Sequence, residues 1–132
     1  MSHLLDTDIC IALMRGRPEA PRRRFAEIGA AAATSAIVLF ELGVGVEKSD
    51  RPDFEHKRIG LLFSKLPVLP FEPDDGRAAA KVLAELERIG LRIGAYDTLI
   101  AGQAIARGLT VVTGNLREFT RVPGLKVESW LD

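Results

Sequence analysis

With 132 residues and a mass of 14.4 kDa, the chain has the length of one domain and is too short for two independent cores. Hydrophobic residues make up 47% of it and charged residues 27%, proportions that exclude an intrinsically disordered protein. The formal net charge is zero and the pI is near 6.7, so the overall charge does not indicate a nucleic-acid-binding protein. We therefore expect a single domain spanning residues 1–132.

No segment is expected to enter a membrane or a secretory pathway. The longest apolar stretch, about 30–46, contains Glu41 and other polar residues, so it does not read as a membrane span. The polar residues Ser2 and His3 lie at the start of the chain, so no signal peptide is expected. Cys10 is the single cysteine; it has no internal disulfide partner and is expected to be a small buried hydrophobe. Together these features predict a cytoplasmic protein.

Strands and helices are predicted to alternate in the first half of the chain. Gly16 is a plausible helix end, Ser35 is a good N-cap, and Pro52 suits a first helical turn. The predicted elements are a strand ending at Asp6, helices over 8–15 and 18–29, a strand over 31–34, and helices over 35–48 and 52–65.

The second half continues the same alternation. The apolar, largely β-branched run 109–112 is typical of a central strand, and Asp97 falls in the first turn of its helix, where the dipole favours a negative charge. The predicted elements are an extended segment over 67–71, helices over 73–90 and 96–107, the strand over 109–112, a helical turn over 116–119 and an edge strand over 125–130. This order predicts an α/β sandwich of three layers, with helices on both faces of a mainly parallel sheet.

Three carboxylates lie at the ends or in the middle of apolar runs: Asp6 in HLLD, Glu41 in AIVLFELGVG and Asp97 in IGAYDTLIAG. Buried acids without a partner are rare, and no Lys or Arg closely flanks these three. Asp6 and Thr113 follow parallel strands, whose carboxyl ends share one edge with helix N-termini, so the acids are expected to converge there. Clustered carboxylates favour a cation, and oxygen ligands suit magnesium or manganese better than zinc.

Simpler interpretations of the same residues stay open. Each acid by itself is as easily a helix cap or the partner of a distant arginine. Two groups of basic residues, within 15–24 and 107–126, either follow a phosphate backbone or form ordinary solvated helix faces.

The chain resembles PIN-domain ribonucleases of the VapC type, the toxic halves of prokaryotic toxin-antitoxin pairs. The matching segments are LLDTDICI, SAIVLFELGVGVEKS, RIGAYDTLIAGQAIARG and LTVVTGNLREFTRVPGLKVESW, in the family's order. The resemblance implies the PIN fold and a magnesium-dependent endoribonuclease, with manganese as a substitute, that acts on structured RNA such as tRNA. It also implies a VapB-type antitoxin as partner and a homodimer.

Phosphodiester hydrolysis needs an activated water and relief of negative charge, which suggests roles for the residues of the resemblance. Asp6 and Asp97 are predicted to ligate the metal. Glu41 is predicted to orient a water or to act as a general base. Thr113 and Asn115 are predicted to steady the hydration shell or the scissile phosphate.

Two positions depart from the family pattern. Asn115 stands where many PIN domains have a fourth acid, and it offers an oxygen but no charge. The run 6–8 reads Asp-Thr-Asp where the toxins often read Asp-Thr-Asn. Asp8 is therefore a candidate for the fourth group, although capping the first helix is its simpler role. Glu118 is the other candidate, or else a surface partner of neighbouring arginines.

Two functions from other classes are alternatives. The paired acids Asp6 and Asp8 are also found in haloacid-dehalogenase-type phosphatases, in which one Asp is a nucleophile. That family expects Thr or Val two places further on, where this chain has Cys10. The other alternative is a non-catalytic module that binds RNA or protein on a nuclease fold, but the presence of all three acids argues against it.

Overall fold

A five-stranded parallel sheet forms the centre of the protein. The structure is a computed structural model and describes residues 1–131. The strands are β1 (His3–Leu5), β2 (Ala32–Ser35), β3 (Val68–Leu69), β4 (Thr110–Val112) and β5 (Val127–Glu128). Their order is β3-β2-β1-β4-β5, so β1 is the middle strand, and its last residue, Leu5, pairs with Thr34 and Val112.

Helices flank this sheet, and the predicted α/β architecture is confirmed. They are α1 (Thr7–Arg15), α2 (Glu19–Ile28), α3 (Ala36–Glu47), α4 (Pro52–Phe63), α5 (Pro73–Arg88), α6 (Ala95–Arg107) and α7 (Leu116–Phe119). Helix α1 packs against α2, α3 and α4, whereas α5 and α6 form a tight pair. Among residues 1–131, no helix is long and apolar enough to cross a membrane.

The centre of the core lies on the middle strand β1 and its neighbour β4. Leu4 and Leu5 of β1 and Val111 and Val112 of β4 are completely buried. A strand that is covered on both faces reads as a continuous apolar run, as these two do. Burial of the strands leaves their carboxyl ends, where the chain turns polar, as the edge available for chemistry.

Local capping places the acids at that edge. Asp6 follows β1 and is the N-cap of α1, where its side chain accepts a hydrogen bond from Thr7 N–H. Ser35 caps α3 in the same way and so fixes the start of the helix that carries Glu41. Asp97 lies in the first turn of α6, as predicted.

Three predicted features are wrong in detail. The first helix begins at Thr7 and is capped by Asp6, so Asp8 is not its cap. The last strand is limited to Val127–Glu128 instead of 125–130. Its chain leaves the sheet because Trp130 turns into the core, where its ring is 1% exposed and its indole N–H donates to Glu128. The second strand is shifted to Ala32–Ser35 by a short 3-10 turn before it.

Candidate active site

Asp6 is the central acid of the site, and hydrogen bonds hold both of its oxygens. Oδ1 accepts from Thr7 N–H at 2.8 Å, and Oδ2 accepts from the Thr113 hydroxyl at 2.8 Å. The Thr113 hydroxyl in turn accepts from Asn115 N–H at 2.9 Å. The ends of β1 and β4 are thus joined through side chains, and the Asp6 carboxylate has a fixed orientation.

Thr7 connects Asp6 with Glu41. Its hydroxyl donates to Glu41 Oε1 at 2.9 Å, while its backbone N–H donates to Asp6. Glu41 therefore reaches the site from the middle of α3, as the sequence suggested. No role is predicted for Thr7 from the sequence, although its position directly after Asp6 could have indicated that it belongs to the site.

Asn115 joins the remaining two acids. Its side-chain amide donates to Asp97 Oδ2 at 3.2 Å and to Glu118 Oε2 at 2.8 Å. Asn115 thus presents N–H groups to these carboxylates, whereas the oxygen of its side chain is the group expected from the sequence. Glu118 faces Asn115 and Asp97, and the charge of Arg121 also acts on it, so both of its predicted roles stay predictions.

Asp8 holds the loop that follows β4. Its Oδ2 accepts from Gly114 N–H at 2.8 Å, and its buried Oδ1 has no hydrogen-bond partner among the described residues. A side chain at Gly114 would collide with Asp8 and with Leu131, so the close approach depends on the missing Cβ. Because the loop also carries Thr113 and Asn115, Asp8 helps to position both.

The two acids assigned to metal binding have strongly shifted pKa values. Burial, only partly offset by hydrogen bonds from Thr113 and Thr7, raises the pKa of Asp6 from 3.8 to about 6. Burial is also the main cause that raises the pKa of Asp97 from 3.8 to about 7. Repulsion from Glu41 contributes to both shifts, which places the three acids within electrostatic reach of one another.

The pKa values of the other two acids, Asp8 and Glu118, shift in opposite directions. Burial raises the pKa of Asp8. A hydrogen bond from Asp97, followed by the one from Asn115, lowers the pKa of Glu118. In the pair formed by Asp97 and Glu118, these opposite pKa shifts favour the proton on Asp97.

The donor set fits a hard divalent cation, although it does not form a closed cage. Within residues 1–131, no three His, Cys, Asp or Glu side chains are arranged to ligate one ion. Magnesium does not require such a cage, because it keeps several waters and is usually held by one or two carboxylates. Repulsion from Asp6 contributes to the raised pKa of Asp97, and a cation held by these two residues would relieve it.

Cys10 takes no part in this chemistry. It is completely buried beneath the site, and its Sγ lies 3.8 Å from the Thr34 hydroxyl. Burial raises the pKa of its thiol to about 12, so the thiolate is absent at neutral pH. The prediction of a small buried hydrophobe is confirmed.

The family of the chain follows from comparison with known proteins. The PIN domain family model matches residues 3–125. The tRNA(fMet)-specific endonuclease VapC of Salmonella typhimurium is 40% identical over 130 residues, which cover 98% of each chain. Ribonuclease VapC2 of Rickettsia felis is 35% identical over 132 residues, again covering 98% of each.

Solved structures show the same relationship in three dimensions. The chain superimposes on DNA-bound VapBC from Salmonella typhimurium with a TM-score of 0.94, 40% identity and 98% coverage of both chains. For VapBC2 from Rickettsia felis bound to a promoter DNA fragment, the TM-score is 0.93 at 34% identity, with 98% of this chain and 99% of that chain covered. The fold, the placement of the acids and these similarities agree, and the chain belongs to the PIN-domain ribonucleases of the VapC toxin family.

Proposed function

We propose that the protein is the toxin of a type II toxin-antitoxin pair, an endoribonuclease that hydrolyses RNA with magnesium, or with manganese in its place. The observation that carries this proposal is the convergence of Asp6, Glu41 and Asp97 at the carboxyl edge of the sheet, with the pKa values of both aspartates raised. A tRNA is the proposed substrate, in keeping with the name of the Salmonella typhimurium relative. The proposed compartment is the cytoplasm, where such a substrate is found.

Asp6 and Asp97 would hold the metal, and the bound ion would supply the positive charge that phosphodiester hydrolysis requires. The chain fixes Asp6 through both of its oxygens, so this ligand needs little reorganisation. Asn115 and Thr113 keep the opposite side of the site in place through their contacts with Asp97 and Asp6.

Glu41 is the proposed general base or orienter of the attacking water. Thr7 holds only its Oε1, so Oε2 lies outside that hydrogen bond and is available to accept a proton from water. The side chain is half-buried, comes from α3 and lies within electrostatic reach of both Asp6 and Asp97. A base in this position would act on a water close to the two aspartates.

The proposed partners are a VapB-type antitoxin and a second copy of the chain. The two solved relatives described above are VapBC assemblies, which supports the first. For the second, Phe40 and Tyr96 contact edge to face with ring centroids 5.3 Å apart, yet remain 51% and 46% exposed. Exposed aromatic pairs of this kind are typical of interfaces. We propose a homodimer through this face, and one PIN domain per chain.

Substitution of the acids tests the function. With magnesium and a tRNA pool, Asp6→Asn, Glu41→Gln and Asp97→Asn should each lower the cleavage rate by at least about 100-fold, because each removes a charge but keeps the shape. EDTA should have the same effect on the unaltered protein. The control is Glu47→Gln, which changes an exposed acid on the helix that carries Glu41 and should cleave normally.

Circular dichroism must show that these variants are folded. If any of the three site variants cleaves at the unaltered rate, the role assigned to that residue is wrong. If the unaltered protein binds RNA without cutting it, the non-catalytic module is the correct interpretation. The phosphatase alternative is excluded by membership of the PIN family.

A further inference from the structure

A cleft of about 270 Å³ leads away from the acidic site between α1, α3 and α4. Thr7 and Glu41, which belong to the acidic site, form one end of it. Arg15, the last residue of α1, lines it as well. Arg15 is the eighth residue after Thr7 along this helix, a distance of about 12 Å along the axis. The cleft is thus continuous with the site and extends beyond it.

The wall of the cleft between its two ends combines apolar and polar side chains. Helix α1 contributes Ile11 and Met14, α3 contributes Leu42 and Val46, and α4 contributes Ile59 together with the polar Glu55 and Arg58. Walls that combine apolar side chains with a few placed polar groups are typical of sites that bind small molecules or single chemical groups. A flat, weakly polar group such as a nucleobase can pack on such a wall, and Met14 adds a polarizable thioether.

The charges change sign along the cleft. Glu41 is acidic at the catalytic end, whereas Arg15 is basic at the other. Arg15 is exposed and has no salt bridge within residues 1–131, while Arg58, also in the cleft, is paired with Glu55 at 3.3 Å. Arg15 is therefore available to bind an anionic group, and it lies about one helix length from the catalytic acids.

We propose that the cleft binds the nucleotide next to the cleaved phosphodiester bond, with its base on the apolar side chains of the wall and a flanking phosphate at Arg15. This inference rests on the proposed ribonuclease function. It follows from the order of the groups along the cleft: the acidic site, the wall that carries Ile11, Met14, Leu42, Val46 and Ile59, and then Arg15. In a single strand the scissile phosphate, the base and the next phosphate follow in the same order.

Filling the cleft tests the position of the base. Gly45 lines it, and a Cβ added there would meet no atom within 4 Å, so this position can accept a side chain, and Gly45→Leu is designed to fill the cleft. In an Asp97→Asn background with magnesium, we expect Gly45→Leu to weaken binding of a short fluorescein-labelled oligoribonucleotide by about tenfold or more. Gly60→Leu is the control, because Gly60 also has open space on a helix but does not line the cleft. Neither change should lower the melting temperature, since glycine disfavours helix interiors.

Removing the cation tests the position of the phosphate. Loss of one phosphate contact from a single strand reduces the slope of log Kd against log salt by about 0.7. We expect this reduction for Arg15→Gln in the same background, with no change for Arg23→Gln, an exposed arginine on α2 outside the cleft. A purely structural role of Arg15 would leave the slope unchanged.

The outcomes separate this inference from the function on which it rests. If the Asp97→Asn parent binds the strand and both cleft variants bind it equally well with the same salt slope, the nucleotide subsite is refuted and the ribonuclease function stands. The same holds if the cleft variants lose only the binding of a co-expressed antitoxin, because the occupant is then a protein segment. If neither the parent nor the unaltered protein binds RNA, the proposed function fails, and the subsite fails with it.

Discussion

At the level of single residues, Asn115 lowers the electrostatic repulsion between the acids on the β4 side of the site. Its amide N–H groups donate to Asp97 and to Glu118 and so bridge two carboxyl groups that lie close together. A carboxylate at this position would remove both hydrogen bonds and add a third negative charge. The departure from the acid found in many PIN domains thus has a physical consequence, which is lower repulsion in the metal-free protein.

We therefore predict that Asn115→Asp lowers the melting temperature in EDTA at pH 8, and that the deficit shrinks at pH 5 because one of the acids takes up a proton. Magnesium should raise the melting temperature of this variant more than that of the unaltered protein, since more ligand charge strengthens binding. Asn115→Ala is the control: it removes the amide without adding charge and should show the smaller pH dependence. Equal metal responses in all three proteins would place residue 115 outside the metal site.

At the scale of elements, the packing of α6 on α5 sets the position of Asp97. The two helices approach so closely at Gly102 that an added Cβ would collide with the backbone N and Cα of Ala79. Gly102 is buried in the middle of α6, five residues after Asp97. The ion pair between Arg107 and the buried Asp75, at 2.8 Å, fastens the other end of α6 to the start of α5. The helix that carries a proposed metal ligand is therefore held along its length.

Gly102→Ala should destabilise the protein by about 1–3 kcal/mol, because backbone atoms cannot move aside as a flexible side chain can. The measurement is urea unfolding of the two proteins. Gly43→Ala is the matched control: Gly43 is also in a helix interior, an added Cβ there meets nothing within 4 Å, and the change should be neutral or stabilising. Equal destabilisation by both variants would show that the close contact with Ala79 is not its cause.

At the scale of the whole molecule, the acidic site makes stability depend on pH and metal. Asp6 and Asp97 have pKa values of about 6 and 7 in the folded protein, against 3.8 for an ordinary aspartate. Between roughly pH 4 and pH 7 the folded state therefore binds more protons than the unfolded state. Stability consequently falls as the pH rises through this window and levels off above it.

We predict that the metal-free protein melts at a higher temperature at pH 5 than at pH 8, and that magnesium reverses most of this loss at pH 8 because the ion binds the ionised acids. The check is thermal melting in EDTA and in a magnesium titration at both pH values. Asp6→Asn and Asp97→Asn should each flatten the pH dependence, whereas Asp74→Asn, at an exposed acid of α5, should not. A metal-free protein that is more stable at pH 8 would contradict the raised pKa values.

Local sequence signals are enough to predict the order of the elements and the edge of the sheet at which the acids lie. These features depend on near neighbours: Ser35 caps the helix that starts beside it, and the apolar run 109–112 pairs as a strand because both of its faces are covered. Where such signals were weak the boundaries were wrong, as for the last strand, which Trp130 ends by entering the core.

The hydrogen bonds and the protonation of the acids depend instead on how the folded chain packs. The hydrogen bond between Thr113 and Asp6 joins residues 107 positions apart, and the one between Thr7 and Glu41 spans 34 positions. No local pattern specifies such partners, because they depend on how the strands and helices pack. The raised pKa values of Asp6 and Asp97 come from the same packing, since burial is their main cause and exists only in the folded chain.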